Sequence, residues 1–295
     1  MRFFALGDRL LMELTTEALS LSTDAQTERV AKLERPLYTA RLEGKYCLSE
    51  PAQCFHLGFK VEELPVFDFA PGQFVSMVTA DSTGKSHTRA YSIASAPRRN
   101  EFDLCVNRVE GGFFSNLLCD LEAGESVKFH GPHGYFLLRQ PLTDSILIAT
   151  GTGIAPMLGF AQALFPEHGP HAGEDLSGGR KIWMVYGTRY ATEIYYQDYF
   201  EKLAALHENF HYIATLSRPD EAWQGSRGYV QEFVEKIAAE HAAKSHAQAE
   251  PSVAEGSGFN IHAYICGLNE MVAANREVLK TLGWQRKQIL FERYD

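Results

Sequence analysis

An antiparallel β-barrel followed by a doubly wound parallel α/β sheet is the fold class that three features of this 295-residue sequence predict. After Leu37 the chain runs in short β-rich segments broken by turn residues, the spacing of a sandwich or barrel. After Asp144, apolar strands alternate with helical stretches, which implies βαβ units and a parallel sheet. The length itself, at roughly 150 residues per domain, favours two domains and leaves no room for a third.

Leu6, Leu10, Leu14, Leu19, Leu21, Val30 and Leu33 stand among polar residues in a loose helical period, so residues 1–35 are expected to be an N-terminal helical extension. The barrel domain is expected over 36–142, with strands at 53–59, 73–78, 89–94, 102–108 and 126–130. The α/β domain is expected over 143–295. Its strands are read at 146–150, 182–186, 210–216 and 262–266, and its helices around 156–164, 195–207, 229–243 and 270–282. Residues 168–179 and 247–258, rich in small and polar residues, are expected to be surface loops or insertions.

Composition narrows the function. Lys plus Arg is 28 and Asp plus Glu is 37, a formal charge of −9 with no basic tract, which argues against nucleic-acid binding because phosphates demand clustered cations. Cys47, Cys54, Cys105, Cys119 and Cys266 are odd in number and irregularly spaced, so neither a disulfide framework nor an iron–sulfur cluster is expected, and no metal site is read. The first 35 residues lack the pattern of a secretory signal, and their acidic residues argue against a transit peptide; a cytoplasmic location is expected. Residues 145–166 hold 22 uncharged positions, long enough to cross a bilayer. Gly151, Gly153, Pro156 and Gly159 within them suit a buried strand, loop and helix better, so no membrane span is expected.

The chemistry is concentrated in a few segments. Thr150-Gly151-Thr152-Gly153-Ile154-Ala155-Pro156 follows an apolar strand. Its glycines let the backbone approach a pyrophosphate, and the next helix offers free N–H groups and a positive dipole. Alone, such a segment is equally an ordinary tight turn. Arg89-Ala90-Tyr91-Ser92-Ile93 supplies a cation for phosphate and an aromatic for a flat ring, and Gly112-Phe113-Phe114-Ser115 is a turn of the kind that cradles phosphate.

Taken in order with Leu104-Cys105-Val106-Asn107-Arg108, Ser217-Arg218, Tyr264-Ile265-Cys266-Gly267-Leu268 and Glu292-Arg293-Tyr294, these segments resemble the ferredoxin–NADP(+) reductase family, its plant-type branch above all, from Leu37 to the end. The resemblance implies a flavin-binding Greek-key barrel and an NADP-binding α/β domain, with FAD and NADP(H) as cofactors. It implies Arg89 on the FAD pyrophosphate, Tyr91 against the isoalloxazine, and Ser92 near the flavin N5, with Ile93 beside it. Gly112, Phe113, Phe114 and Ser115 make the second pyrophosphate turn, and Cys105, Asn107 and Arg108 line the flavin strand. Cys266 and Glu292 are implied close to the hydride-transfer site, without a nucleophilic role for the thiol. Tyr294 is implied to cover the flavin and to move aside for nicotinamide. Asp295 after this tyrosine departs from the plant pattern, as does the short loop from Arg108 to Phe113, which lacks the aromatic residue that stacks on the FAD adenine and leaves FMN open beside FAD.

For the coenzyme, Thr152 and Gly153 are implied at the pyrophosphate, and Arg189, Ser217, Arg218, Arg227, Tyr229 and Gln231 at the 2′-phosphate and adenine, which favours NADPH. Ser92, Cys266, Glu292 and Tyr294 are the implied catalytic set. The implied partner is a ferredoxin or flavodoxin, with Arg98 and Arg99, joined by Lys85 and Arg41, as candidate docking cations. An alternative on the same fold is the NAD(P)H-dependent reductase component of an oxygenase. A flavin-bearing regulatory subunit without turnover is a further alternative, disfavoured by the joint presence of the four catalytic candidates. No oligomeric state is read from the sequence.

Overall fold

The computed structural model describes residues 36–248 and 260–294. The expected N-terminal extension lies outside them. So does the 247–258 loop, save residues 247 and 248, which are helical instead.

Six strands make the first sheet: β1 (Tyr38–Ser49), β2 (Cys54–Val61), β3 (Phe74–Ala80), β4 (Ser86–Ser92), β5 (Glu101–Asn107) and β6 (Ser126–His133). All neighbours are antiparallel, in the order β4-β3-β6-β1-β2-β5. An antiparallel bridge from Ile93 to Leu104, with Ala94 N donating to Asp103 O at 2.7 Å, links the end of β4 to β5, the two outer strands. Leu42, Leu57, Phe59, Val75, Met77, Phe102, Leu104 and Phe129 fill the interior from alternate positions, as a half-buried strand demands. The helix α1 (Phe113–Asp120) follows β5.

A second, parallel sheet holds β7 (Asp144–Thr150), β8 (Ile182–Thr188), β9 (Phe210–Leu216), β10 (Ser226–Arg227), β11 (Ile261–Gly267) and β12 (Ile289–Arg293) in the order β10-β9-β8-β7-β11-β12. Its helices are α2 (Ile154–Leu164), α3 (Gln197–Leu206), α4 (Val230–Gln248) and α5 (Asn269–Thr281). Buried residues of α2 and α3 share one apolar cluster, while those of α4 and α5 share another. Helices therefore cover both faces, and the sheet is doubly wound as expected. Strand order reverses between β7 and β11, which puts a topological switch point at the C-terminal end of β7. The uncharged 145–166 segment is β7, a 3₁₀ turn at Gly151–Gly153 and α2. Among the described residues no helix is long and apolar enough to cross a membrane. Both sheets belong to one compact unit over Tyr38–Asp295.

Candidate functional site

At the switch point the ends of β7 and β11 approach more closely than side chains allow. A Cβ on Gly153 would lie 2.1 Å from the carbonyl oxygen of Cys266 and 2.6 Å from the Tyr294 hydroxyl. Gly267 has φ +155, and a Cβ there would meet Thr150 Oγ1 at 2.4 Å. Thr150 Oγ1 is buried and has no hydrogen-bond partner, an orphan that a bound polar ligand would satisfy. The adjoining cavity measures about 670 Å³, within the range of a ligand pocket.

Of the expected coenzyme residues, Thr152, Arg189, Ser217, Arg218, Tyr229 and Gln231 line this cavity, joined by Asn107 and Tyr294 from the expected flavin set. The Ser217 and Arg218 backbones are pinned by their N–H groups to the carbonyls of Thr188 and Arg189, both at 3.0 Å. Arg227 is not in the lining: its Nη2 donates to the carbonyls of Asp220 at 3.1 Å and Trp223 at 2.6 Å, bracing the turn before it. Sequence reasoning missed Glu193, Tyr195 and Glu270 in the wall. Tyr195 donates its hydroxyl proton to Asn107 Oδ1 at 3.0 Å and so joins the cavity to the barrel. Glu193 stands beside Arg189, whose Nε is 3.7 Å from its carboxylate.

The barrel's contribution is β4. His87, Arg89 and Tyr91 alternate along one face of the strand, and Ser92 ends it. Burial pushes the Tyr91 phenol up to about 12, so it stays neutral. The side chain of Ile93 is fully buried in the barrel core and its N–H donates to Gln73 O, so it has no side-chain surface to offer a cofactor. Gly112 precedes α1, where a Cβ would lie 2.5 Å from Ser115 Oγ, and that oxygen accepts the Val109 N–H at 3.1 Å. Phe114 is buried, whereas Phe113 is partly exposed with its ring 5.1 Å from that of His87. Cys105 is buried with its Sγ 3.7 Å from that of Cys54. Arg108 donates to Asn116 Oδ1 at 3.1 Å and Asp120 Oδ1 at 2.6 Å, fastening the loop to α1.

Strand β12 completes the arrangement. Cys266 and Glu292 are register partners on β11 and β12. Burial pushes the Glu292 carboxyl up to about 7, against a lowering hydrogen bond from the Ser92 side chain. Cys266 is fully buried, and burial and then the Glu292 charge raise its thiol well above the ordinary range, so it is no nucleophile. Tyr294 donates its hydroxyl proton to Thr150 O at 2.9 Å. Residue 295, the departure from the plant pattern, lies outside the described residues. Ser92, Cys266, Glu292 and Tyr294 thus converge at the switch point from segments up to about 200 residues apart in the chain.

Arg98, an expected docking cation, is held in an ion pair. Its Nη2 donates to both carboxylate oxygens of buried Asp103 at 2.6 Å.

Comparison with known proteins adds to this geometry. Residues 39–137 match the oxidoreductase FAD-binding domain and residues 147–277 the oxidoreductase NAD-binding domain. The chain is 38% identical over 243 residues to ferredoxin–NADP reductase B of Sorangium cellulosum, covering 81% of this chain and 91% of that one. It is 28% identical over 266 residues to the toluate 1,2-dioxygenase electron transfer component of Pseudomonas putida, covering 90% and 70%. Among solved structures, the ferredoxin–NADP+ reductase from Plasmodium falciparum superposes with a TM-score of 0.68 at 20% identity over 87% of this chain and 95% of that one, a likeness of fold.

Proposed function

The chain belongs to the ferredoxin–NADP reductase family, and from that premise we propose that it is an FAD-dependent oxidoreductase that exchanges electrons between NADP(H) and an electron-transfer protein, a ferredoxin or flavodoxin. The observation that supports this most is the meeting of Ser92, Cys266, Glu292 and Tyr294 beside a dinucleotide-sized cavity at the switch point of the parallel sheet. We assign residues 36–142 to the FAD-binding domain and 143–295 to the nucleotide-binding domain. All five cysteines are free thiols, in keeping with a reducing cytoplasm.

Both cofactors fit the residues present. Arg89, Tyr91, Ser92 and the Gly112 to Ser115 turn would hold FAD, and Thr152, Arg189, Ser217, Arg218 and Tyr229 would hold NADP(H), with the orphaned Thr150 Oγ1 in the same cavity wall. When bound, FAD takes a hydride from reduced nicotinamide and releases electrons singly. The protein supplies the rest. Tyr294 fills the space over Gly153 and keeps water out until nicotinamide displaces it. Glu292, with a carboxyl near 7, holds a proton at Oε close to the Ser92 hydroxyl and can release or take it at neutral pH. Arg218 and Ser217 would select the 2′-phosphate.

A second reading, the reductase component of an oxygenase, is favoured by the likeness to the toluate dioxygenase component and by Glu193, an acid in the cavity wall that suits a ribose hydroxyl. Anaerobic mixing of the purified yellow protein with NADPH or NADH, followed at the flavin band, separates the two. Fast bleaching by NADPH with poor reduction by NADH is the expected result; the reverse preference moves the second reading ahead, and a protein that holds no flavin sinks both.

A further inference from the structure

On the reading above, coenzyme and flavin are held by different domains, so the rate of hydride transfer depends on how firmly the barrel is fixed where it meets the coenzyme cavity. Among the described residues that line this cavity, Ala52 and Asn107 come from the barrel and the rest from the α/β domain. Asn107 ends β5, and its Nδ2 donates to Ala52 O at 3.3 Å, so the two make one patch of wall. Tyr195, across the cavity boundary, holds that patch: its hydroxyl donates to Asn107 Oδ1 at 3.0 Å, and both ends of this bond lie in the cavity wall.

The tyrosine is itself tightly fixed. Tyr195 is buried, and its ring lies 6.3 Å from that of fully buried Tyr186, whose hydroxyl donates to Gly151 O at 3.0 Å in the turn after β7. Next in the chain, Tyr196 takes φ +57, a strained conformation for a residue with a side chain, and two consecutive tyrosines reach the barrel, Tyr195 to β5 and Tyr196 to β2. Such strain persists only where the surroundings over-determine it. Burial raises the Tyr195 phenol far above its ordinary range, so it remains a donor, and its proton orients the Asn107 amide. On the barrel side, Leu104 of β5 is bridged to Ile93, the residue after Ser92. The tied amide therefore stands three residues along β5 from the bridge beside Ser92.

We propose that Tyr195 is a positioning residue for hydride transfer, whose hydrogen bond to Asn107 fixes the barrel against the coenzyme cavity and so governs the rate of transfer far more than the affinity for coenzyme. It acts through Asn107. The hydride, with its two electrons, passes from reduced nicotinamide to the flavin, and Tyr195 exchanges no proton in the step. The inference rests on the hydride-transfer reading above and deepens it with a residue outside the four that meet at the switch point.

The test uses the flavin-loaded protein under anaerobic conditions, with whichever of NADPH and NADH bleaches the unmodified flavin faster. Tyr195→Phe keeps the ring and loses the hydrogen bond. Tyr199→Phe is the control, because the buried Tyr199 hydroxyl has no partner among the described residues to lose. A misplacement of about 1 Å can cost roughly a hundredfold in rate, and loss of this one tie is expected to lower the limiting rate of bleaching about tenfold. The coenzyme concentration that gives half that rate should move less than threefold. Coenzyme deuterated at the transferred position should slow the variant at least as much as it slows the unmodified protein, which places the loss in the transfer itself. Apart from turnover, exchange of the Arg108 amide, which donates to Gln53 O at 2.9 Å next to Asn107, is expected to quicken at least fivefold in Tyr195→Phe and to stay unchanged in Tyr199→Phe. An unchanged limiting rate, an affinity loss as large as the rate loss, a vanished isotope effect or unchanged amide exchange each overturns the positioning role. Combining Tyr195→Phe with Asn107→Ser gives a second reading: rate losses that do not multiply support action through Asn107, and losses that multiply overturn it. If neither coenzyme bleaches the unmodified protein, the hydride-transfer reading falls and this inference with it, whereas equal bleaching of the unmodified protein and Tyr195→Phe removes the inference alone.

Discussion

Tyr196, in the segment before α3, donates its hydroxyl proton to Nδ1 of His56 on β2, 3.0 Å away, and so ties the parallel sheet to the barrel through a neutral imidazole. The other ring nitrogen, Nε2, faces Asp103 at 3.6 Å, and Tyr46 stacks on the ring at 4.6 Å. Burial, and then the Arg98 charge, hold His56 down to about 4. The unfolded chain therefore binds the proton more tightly, and this group's contribution to stability is lost as pH falls from about 6.5 to about 4. Asp103 works in the opposite sense: burial pushes it up to about 6 in spite of Arg98, so its contribution is lost as pH rises from about 4 to about 6. Each amounts to about 3 kcal/mol at roughly 1.4 kcal/mol per unit, and in the native protein they nearly cancel. Relative to wild type, His56→Asn is expected to gain about 3 kcal/mol as pH is lowered from 6.5 to 4. Urea unfolding at several pH values measures this, and parallel profiles for the two proteins would refute it.

Arg98 belongs to the same network, which turns an expected docking residue into a structural one. Removing it leaves the Asp103 carboxylate buried with only His56 nearby. Arg98→Ala is expected to cost about 2–3 kcal/mol, below the roughly 3–5 kcal/mol of a fully buried pair because the arginine side chain is itself 42% exposed and water can reach the gap. Chemical denaturation reads the cost. The same variant should leave ferredoxin affinity within about twofold, whereas a tenfold loss with unchanged stability would restore Arg98 to the docking surface.

How much of this was legible in the sequence depended on the length scale of each signal. The strand–helix alternation after Asp144 and the glycines at 151 and 153 are local, and the parallel sheet followed from them, whereas the strand order that sets the switch point did not. Strand β1 escaped because Arg41, Glu43 and Lys45 interrupt its apolar positions, although buried Ala40 and Leu42 keep the period of two. Helix α1 escaped because its eight residues are too few for a helical period to stand out, and β12 because it is five residues of mixed character at an edge. Of the site, the individual residues were readable and their partners were not. Nothing near Arg98 in the chain announces that Asp103 will be buried against it. The opposite faces of β12 were equally silent: Glu292 turns to Ser92 while Arg293 turns to Phe291 and Arg276.

Glu292 carries a prediction about rate. With its carboxyl near 7, it changes charge within the working range, so kcat for the electron-transfer reaction is expected to show an inflection near pH 7. Glu292→Gln keeps the shape and a hydrogen-bonding group for Ser92 but cannot titrate. The inflection should vanish and kcat should fall by roughly 10²-fold, the lower end of what a positioned proton donor contributes. Survival of the inflection in the variant would assign it to another group.

The hydrogen bond from Tyr294 to Thr150 holds the phenol hydroxyl against Gly153, and on the proposed reading nicotinamide takes the place of the ring. On that reading the ring competes with the coenzyme. Tyr294→Phe loses only the hydrogen bond, about 1 kcal/mol, and is expected to bind NADP+ up to about fivefold more tightly. Tyr294→Ser removes the ring and should tighten NADP+ tenfold or more while slowing its release. Calorimetry on the flavin-loaded variants decides the matter. Weaker NADP+ in both would mean that the ring supports nicotinamide instead of obstructing it.

On the proposed reading, coenzyme choice rests on side chains whose backbones are already fixed. Ser217 and Arg218 leave the end of β9 with their N–H groups bonded to the last residue of β8 and the one after it, so their side chains face the cavity at little further entropic cost. A guanidinium on a 2′-phosphate is a charge-assisted contact that NADH cannot make. Arg218→Ala is therefore expected to raise KM for NADPH by 10- to 100-fold, the equivalent of about 1.5–3 kcal/mol, and to leave KM for NADH within about twofold. Arg227→Ala should act differently, because its guanidinium braces the Asp220 to Trp223 turn: both coenzymes should weaken together as the turn loosens. Steady-state kinetics with each coenzyme separates the two effects. A selective loss of NADPH in Arg227→Ala, with Arg218→Ala neutral, would exchange the roles of the two arginines.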